Sequence, residues 1–266
     1  VPEHPRFLGR WAEDSARVRA ERRCTLDVPY GNGAAERLDV FRAARGAAPA
    51  PVFVFIHGGW WRALDKADHS FVAPALTDAG ALVVVPNYAL CPSVGIDTIV
   101  LQMARAVAWA WRHAVAHGGD PARIVVGGHS AGGHLAAMLL TCRWPQLAPD
   151  LPPALLRAGL AISGVFDLEP LRQAPFLQKD LRLTPAWTRR LSPVRLPAPG
   201  APLLAVDGGD ESGEFHRQRE AIRAAWGAAA VPVCESIAGT HHFSVLDELA
   251  RPGSRLHGLA CSALGL

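Results

Sequence analysis

A chain of 266 residues, half of them hydrophobic, can bury the core of one large α/β domain, and a single enzyme-sized domain spanning 1–266 is expected. Its 27 basic and 24 acidic residues are interspersed and leave a net charge of only +3, with no basic block or tail to track phosphates, so nucleic acid is not an expected partner. The polar start, VPEHPRFLGRWAEDSARVRAERR, and the lack of an uninterrupted apolar run of about 18 residues argue against a membrane partner.

The five cysteines (Cys24, Cys91, Cys142, Cys234 and Cys261) are scattered, without CxxC or metal-type spacing. This predicts reduced thiols in a cytoplasmic protein; from the polar start and the lack of an apolar span the chain is expected to be soluble and unprocessed, and neither a metal nor a cofactor is expected. Only Lys66 and Lys179 are lysines, and arginine together with abundant Ala, Gly and Pro points to a GC-rich bacterial genome. No pattern encodes the oligomeric state, and a homodimer is carried as an open option.

In chain order, residues 10–23 are a candidate helix of unassigned role. Strands are expected over Cys24–Val28 and Arg37–Phe41, where the turn-rich stretch PYGNGAAE between them suits an antiparallel hairpin. Further strands follow at Val52–Ile56, Ala81–Pro86, Arg123–Val126, Gly159–Ser163, Pro202–Val206 and Pro232–Ile237. Helices are expected over Ile96–His117, Ala131–Leu140, Glu214–Ala229 and Ser244–Leu249. This alternation predicts an α/β fold with a mostly parallel eight-stranded sheet covered by helices on both faces. The proline-rich segment 144–199 is expected to form a small irregular cap over a site.

The stretch RIVVGGHSAGGHL holds Gly-x-Ser-x-Gly at Gly128, Ser130 and Gly132. With 25 Gly and 11 Ser in the chain, the match alone arises by chance about one time in ten. Context decides: a buried-strand run precedes the serine and a helix begins directly after it, as in a nucleophile elbow. A serine hydroxyl needs a base to accept its proton, and the developing oxyanion needs donors already in place. Such donors are offered by FVFIHGGWW, in which a strand runs into His57, Gly58, Gly59 and Trp60. The N–H groups of Gly59 and Trp60, with Gly58 as a third, are expected to join that of Ala131 in an oxyanion hole.

In this arrangement the acid and then the base follow the serine along the chain. The strand end PLLAVDGGDESGEF offers Asp207, Asp210, Glu211 and Glu214. Glu211, three residues beyond Gly208, is the first choice and Asp210 the reserve. The loop THHFSVLDEL presents two competing bases, His241 and His242.

Other candidates have plainer readings. His113 and His117 are four apart on an expected helix, yet no HExxH pattern or third ligand accompanies them. His129 and His134 are expected to pack locally, whereas Arg62, Lys66, His69 and Phe71 either line the entrance or serve surface charge and packing. Trp109 and Trp111 diverge by about 200° on a helix and suit core packing. The clustered Gly127, Gly128, Gly132 and Gly133 lack the GK[ST] of a phosphate loop.

Together, HGGWW at 57–61, GHSAGGHLA at the elbow, ISGVFDLEPL at 162–171, ESGEFHRQ at 211–218 and HHF at 241–243 resemble α/β-hydrolases of the kynurenine formamidase type, within the hormone-sensitive-lipase-like esterases. The resemblance runs from about residue 25 to the C-terminus. It implies the α/β-hydrolase fold, a Ser130–Glu211–His242 triad and a small-molecule acyl substrate, either an aryl formamide such as N-formylkynurenine or a short-chain or aryl ester. The acid is usually Asp in the animal enzymes, so Glu211 is a departure. The family's second loop tryptophan matches Trp61 and leaves Trp60 as the variable residue. A non-catalytic binding protein on the same fold is the alternative of another class; the intact triad residues argue against it.

Overall fold

The computed structural model describes residues 3–45 and 49–266 of the chain. A long first helix, α1 (His4–Glu21), leads to the antiparallel pair β1 (Cys24–Pro29) and β2 (Arg37–Phe41), followed by β3 (Ala50–Ile56), α2 (Ala73–Ala79) and β4 (Leu82–Pro86). Then come α3 (Ile96–His113), β5 (Gly119–His129), α4 (Ala131–Leu140), α5 (Trp144–Leu147) and β6 (Leu156–Ile162). Three short helices, α6 (Glu169–Arg172), α7 (Pro175–Leu181) and α8 (Pro185–Leu191), precede β7 (Leu203–Gly208), α9 (Gly213–Ala230), β8 (Val233–Ile237), α10 (Val245–Ala250) and α11 (Arg255–Leu264).

The strands form one sheet in the order β1-β2-β4-β3-β5-β6-β7-β8. β2 pairs antiparallel with β1 and β4, and the strands from β4 to β8 run parallel. This is the expected fold class, and its cause is visible in β3. Every residue of β3 is buried, because a central parallel strand is covered on both faces and must be apolar throughout. Val52, Val54 and Ile56 join the core shared with α3, α4 and α9; Phe53 and Phe55 join the core shared with α1, α2, α10 and α11. Strand order reverses around β3, so the loops leaving β3 and β5 lie side by side at the carboxyl edge, the usual place for a ligand in such sheets.

Three expectations change. The first helix begins at His4 rather than near residue 10, with Pro5 in its first turn, where a missing N–H costs nothing. The α-helix expected to reach His117 stops at His113 and tightens into a 3-10 turn over Ala114–His117, so His113 and His117 do not share one α-helical face. The segment 144–199, expected to be irregular, holds four short helices, α5 to α8, besides the strand expected over Gly159–Ser163, which is β6 and pairs with both β5 and β7. Helices α2 and α11 were not expected. Among the described residues no helix is long and apolar enough to cross a membrane.

Candidate active site

Ser130 stands between β5 and α4 with φ 57° and ψ −114°, a conformation that L-residues avoid and that marks a strained strand-to-helix turn. It is almost wholly buried, and its N–H donates to Ile162 O at 2.8 Å. The turn is crowded enough to exclude side chains, since a Cβ on Gly132 would lie 2.0 Å from Ile56 O. That contact presses the start of α4 against the end of β3.

The loop after β3 therefore meets the elbow directly. A Cβ on Gly58 would lie 2.9 Å from His129 O and 3.2 Å from Ser130 Cβ. Gly59 has φ 103°, and Trp60 and Trp61 follow at 54° and 56°, so three successive residues hold left-handed backbone. Among the described residues, the N–H groups of Gly58, Gly59, Trp60 and Ala131 donate to no protein acceptor. Gly58 and Ala131 are buried and Gly59 and Trp60 partly so, and backbone donors left without a protein partner suit a ligand oxygen. Trp61 is fully buried edge-on to His134, with ring centroids 4.9 Å apart.

At the other side, His242 Nδ1 donates to Glu211 Oε2 at 2.8 Å. The Glu211 side chain is fully buried, and its Oε1 accepts from Gly208 N–H at 2.7 Å and from the Ser163 hydroxyl. Burial would raise this carboxyl, but bonds from His242, Ser163 and Gly208 outweigh it and hold the group below its ordinary value. Asp210 is exposed and its N–H donates to Thr240 O, while its carboxylate makes no hydrogen bond or ion pair with either histidine. His241 faces away: its Nδ1 accepts from the N–H of Phe243 and Ser244, and its ring meets the Phe7 edge of α1 at 4.9 Å. Asp207 is bonded to His216 and Ser236, and Glu214 to Arg217 and Gln218. Of the four acids and two bases read from the sequence, the structure joins only Glu211 and His242.

His129, adjacent to Ser130, links the elbow to the base loop by donating from Nε2 to His242 O at 2.7 Å. Burial first, and the nearby His242 second, lower its pKa to about 3, so it stays neutral. Phe215, on the first turn of α9, lies 4.3 Å from the His242 ring. Of the four side chains weighed as entrance residues, Arg62 donates to Phe176 O and pairs with Asp180 on α7. Lys66 is buried between Asp27 and Asp39, at 2.8 and 2.7 Å, and His69 and Phe71 are buried as well. Trp109 stacks on His113 at 4.8 Å. Among the described residues no cluster of three or more His, Cys, Asp or Glu is arranged to hold a metal ion.

Sequence reasoning passed over Ser163, Asn87 and Tyr88. Ser163 lay in the quoted stretch ISGVFDLEPL, but its role depends on β6 lying beside β7. Asn87 and Tyr88 follow β4 directly, where the sheet order brings them against His57.

A family model, BD-FAE, matches residues 38–147. Kynurenine formamidase from Danio rerio is 30% identical over 256 residues, covering 94% of this chain and 85% of that protein. Esterase LipC from Mycobacterium tuberculosis is 30% identical over 259 residues, covering 88% of this chain and 63% of that protein. Among solved structures, a protein of Silicibacter sp. TM1040 designated a thioesterase superposes with a TM-score of 0.84 at 32% identity, over 96% of this chain and 92% of that one.

Proposed function

Because this chain belongs to the kynurenine formamidase family of α/β-hydrolases, we propose that it is a serine hydrolase of small acyl compounds, cleaving an aryl formamide such as N-formylkynurenine or a small carboxylic ester. The observation that carries this reading is the hydrogen bond of His242 to the buried Glu211 carboxylate, 2.8 Å long, on loops tied to the strained Ser130 turn through His129.

With its Nδ1 proton given to Glu211, the His242 ring keeps Nε2 free to accept the Ser130 proton. Ser130 Oγ then bonds to the substrate carbonyl carbon, and the negative charge on the carbonyl oxygen is received by the N–H groups of Gly58, Gly59, Trp60 and Ala131. As the tetrahedral species collapses, the imidazolium returns its proton to the departing amine or alcohol. Water enters with His242 as base, and the acyl group leaves as formate or another carboxylic acid. Glu211 stays ionised throughout and stabilises the imidazolium. The composition supports a bacterial, cytoplasmic protein acting on a freely diffusing compound.

A second reading, a general short-chain or aryl carboxylesterase, is favoured by the likeness to Esterase LipC over 88% of this chain. Measuring kcat/KM on N-formylkynurenine against p-nitrophenyl acetate and butyrate separates the two. A formamide value at or above the ester values supports a formamidase, whereas one far below them removes that role. No turnover of any of the three, with no phosphonate label on Ser130, would replace both readings with a binding protein.

A further inference from the structure

We propose that Tyr88 is a positioning residue for the oxyanion hole, its single hydroxyl holding both peptide groups whose N–H ends belong to Gly58 and Gly59. The proposal rests on the reading of those two N–H groups as oxyanion donors.

Tyr88 lies two residues beyond the end of β4, fully buried in the core, with its hydroxyl 3.0 Å from His57 O and 3.1 Å from Gly58 O. A phenol has one proton to donate, so it is shared between the two carbonyls. In a planar trans peptide the C=O and N–H point in opposite directions. Fixing His57 O therefore aims Gly58 N–H, and fixing Gly58 O aims Gly59 N–H. Both peptides lie where backbone alone gives little restraint, since Gly59 is left-handed and the two tryptophans after it are too.

The hydroxyl is held in place in turn. The Tyr88 ring stacks on His57 with centroids 4.2 Å apart and planes 8° from parallel. The His57 ring, kept neutral by burial, has one N–H for the two oxygens it faces, Gly58 O at Nδ1 (2.8 Å) and Asn87 Oδ1 at Nε2 (3.1 Å), while Asn87 Nδ2 donates to Asp65 Oδ2 at 2.6 Å. A donor on a carbonyl also polarises its peptide, which strengthens the N–H at the far end. Burial pushes the phenol far above its ordinary value, so it remains a donor at every working pH. Nothing in packing requires the oxygen, because a phenylalanine ring fills the same core space.

The test is Tyr88→Phe. We expect kcat on p-nitrophenyl acetate to fall about tenfold with KM little changed, less than the hundredfold or more that losing a donor itself costs. A trifluoromethyl ketone labelled with 13C at its carbonyl adds to Ser130 as a hemiketal, whose ionisation midpoint is read by titrating the carbon shift. In the wild type that midpoint lies well below that of the free hydrate, and in Tyr88→Phe it rises by about one pH unit, matching the tenfold loss. An unchanged midpoint in the variant, whatever happens to kcat or Tm, overturns the role of Tyr88. A wild-type midpoint that is not depressed overturns the oxyanion-hole reading instead. If Tyr88→Phe does not fold, 3-fluorotyrosine placed at position 88 is a stronger donor and lowers the midpoint; no movement there also refutes the proposal.

Discussion

Replacing Glu211 by Gln alters one terminal atom, yet the donors around the carboxylate decide how the amide must sit. Oε1 accepts from Gly208 N–H at 2.7 Å and from the Ser163 hydroxyl, whereas Oε2 accepts from His242 Nδ1 alone. The amide oxygen takes the Oε1 place, since an NH2 there would face two donors. Its NH2 then points at Nδ1, which has to become an acceptor. The ring proton moves to Nε2, the nitrogen that must take the Ser130 proton, and the base is left in the wrong tautomer. In other triads this fault costs about 10⁴-fold in kcat, or about 5.5 kcal/mol of barrier. Steady-state kinetics on p-nitrophenyl acetate at neutral pH, with circular dichroism to confirm folding, should show that loss in Glu211→Gln with only a small change in KM. Asp210→Asn, at an exposed side chain, should stay within about twofold of wild type. Glu211→Gln within tenfold of wild type, or collapse of Asp210→Asn, refutes the reasoning.

Two further outcomes follow from the same geometry. Ser163→Ala deletes a hydrogen bond to a buried carboxylate and should cost about 1.5–3 kcal/mol in urea unfolding, together with a measurable loss of kcat. Wild-type stability would mean that Gly208 N–H and His242 suffice to hold Glu211. His134 is fully buried, donates from Nε2 to Leu191 O at 2.7 Å, and is lowered by burial from 6.5 to about 4. The unfolded chain takes up a proton at this histidine below pH 6.5 while the folded chain does not, so stability is lost as pH falls through that value. By pH 5 the loss is about 2 kcal/mol. His134→Gln keeps a donor and has no such proton, so its stability gap to wild type should narrow by that amount between neutral pH and pH 5. A gap constant with pH would mean that His134 titrates normally.

Much of the fold was legible because burial writes itself into composition. PVFVFI and IVV are apolar without interruption, as a strand covered on both faces requires, and glycines follow, directly after IVV and one residue after PVFVFI, where the chain must turn sharply. The elements carrying Ser130, Glu211 and His242 could be placed for the same reason. The competition between His241 and His242 could not be resolved locally, since neighbours in a tight loop point apart and the outcome depends on Phe7 of α1, more than two hundred residues away. The role of Lys66 stays open in the sequence, between the entrance and surface charge or packing, because its partners Asp27 and Asp39 come from two strands brought to it only by the folded sheet. Tyr88 and Ser163 were illegible for a similar reason: what each hydroxyl reaches is set by which strands are neighbours, not by spacing along the chain.

The most direct test of Ser130 as nucleophile is to quench the protein with acid during turnover of p-nitrophenyl acetate and map the acyl group by peptide mass spectrometry. An acetyl group on the peptide containing Ser130, absent from a folded and inactive Ser130→Ala variant, is the predicted result. An unmodified Ser130 during full turnover, an acyl group on another residue, or a Ser130→Ala variant with wild-type rates would contradict it.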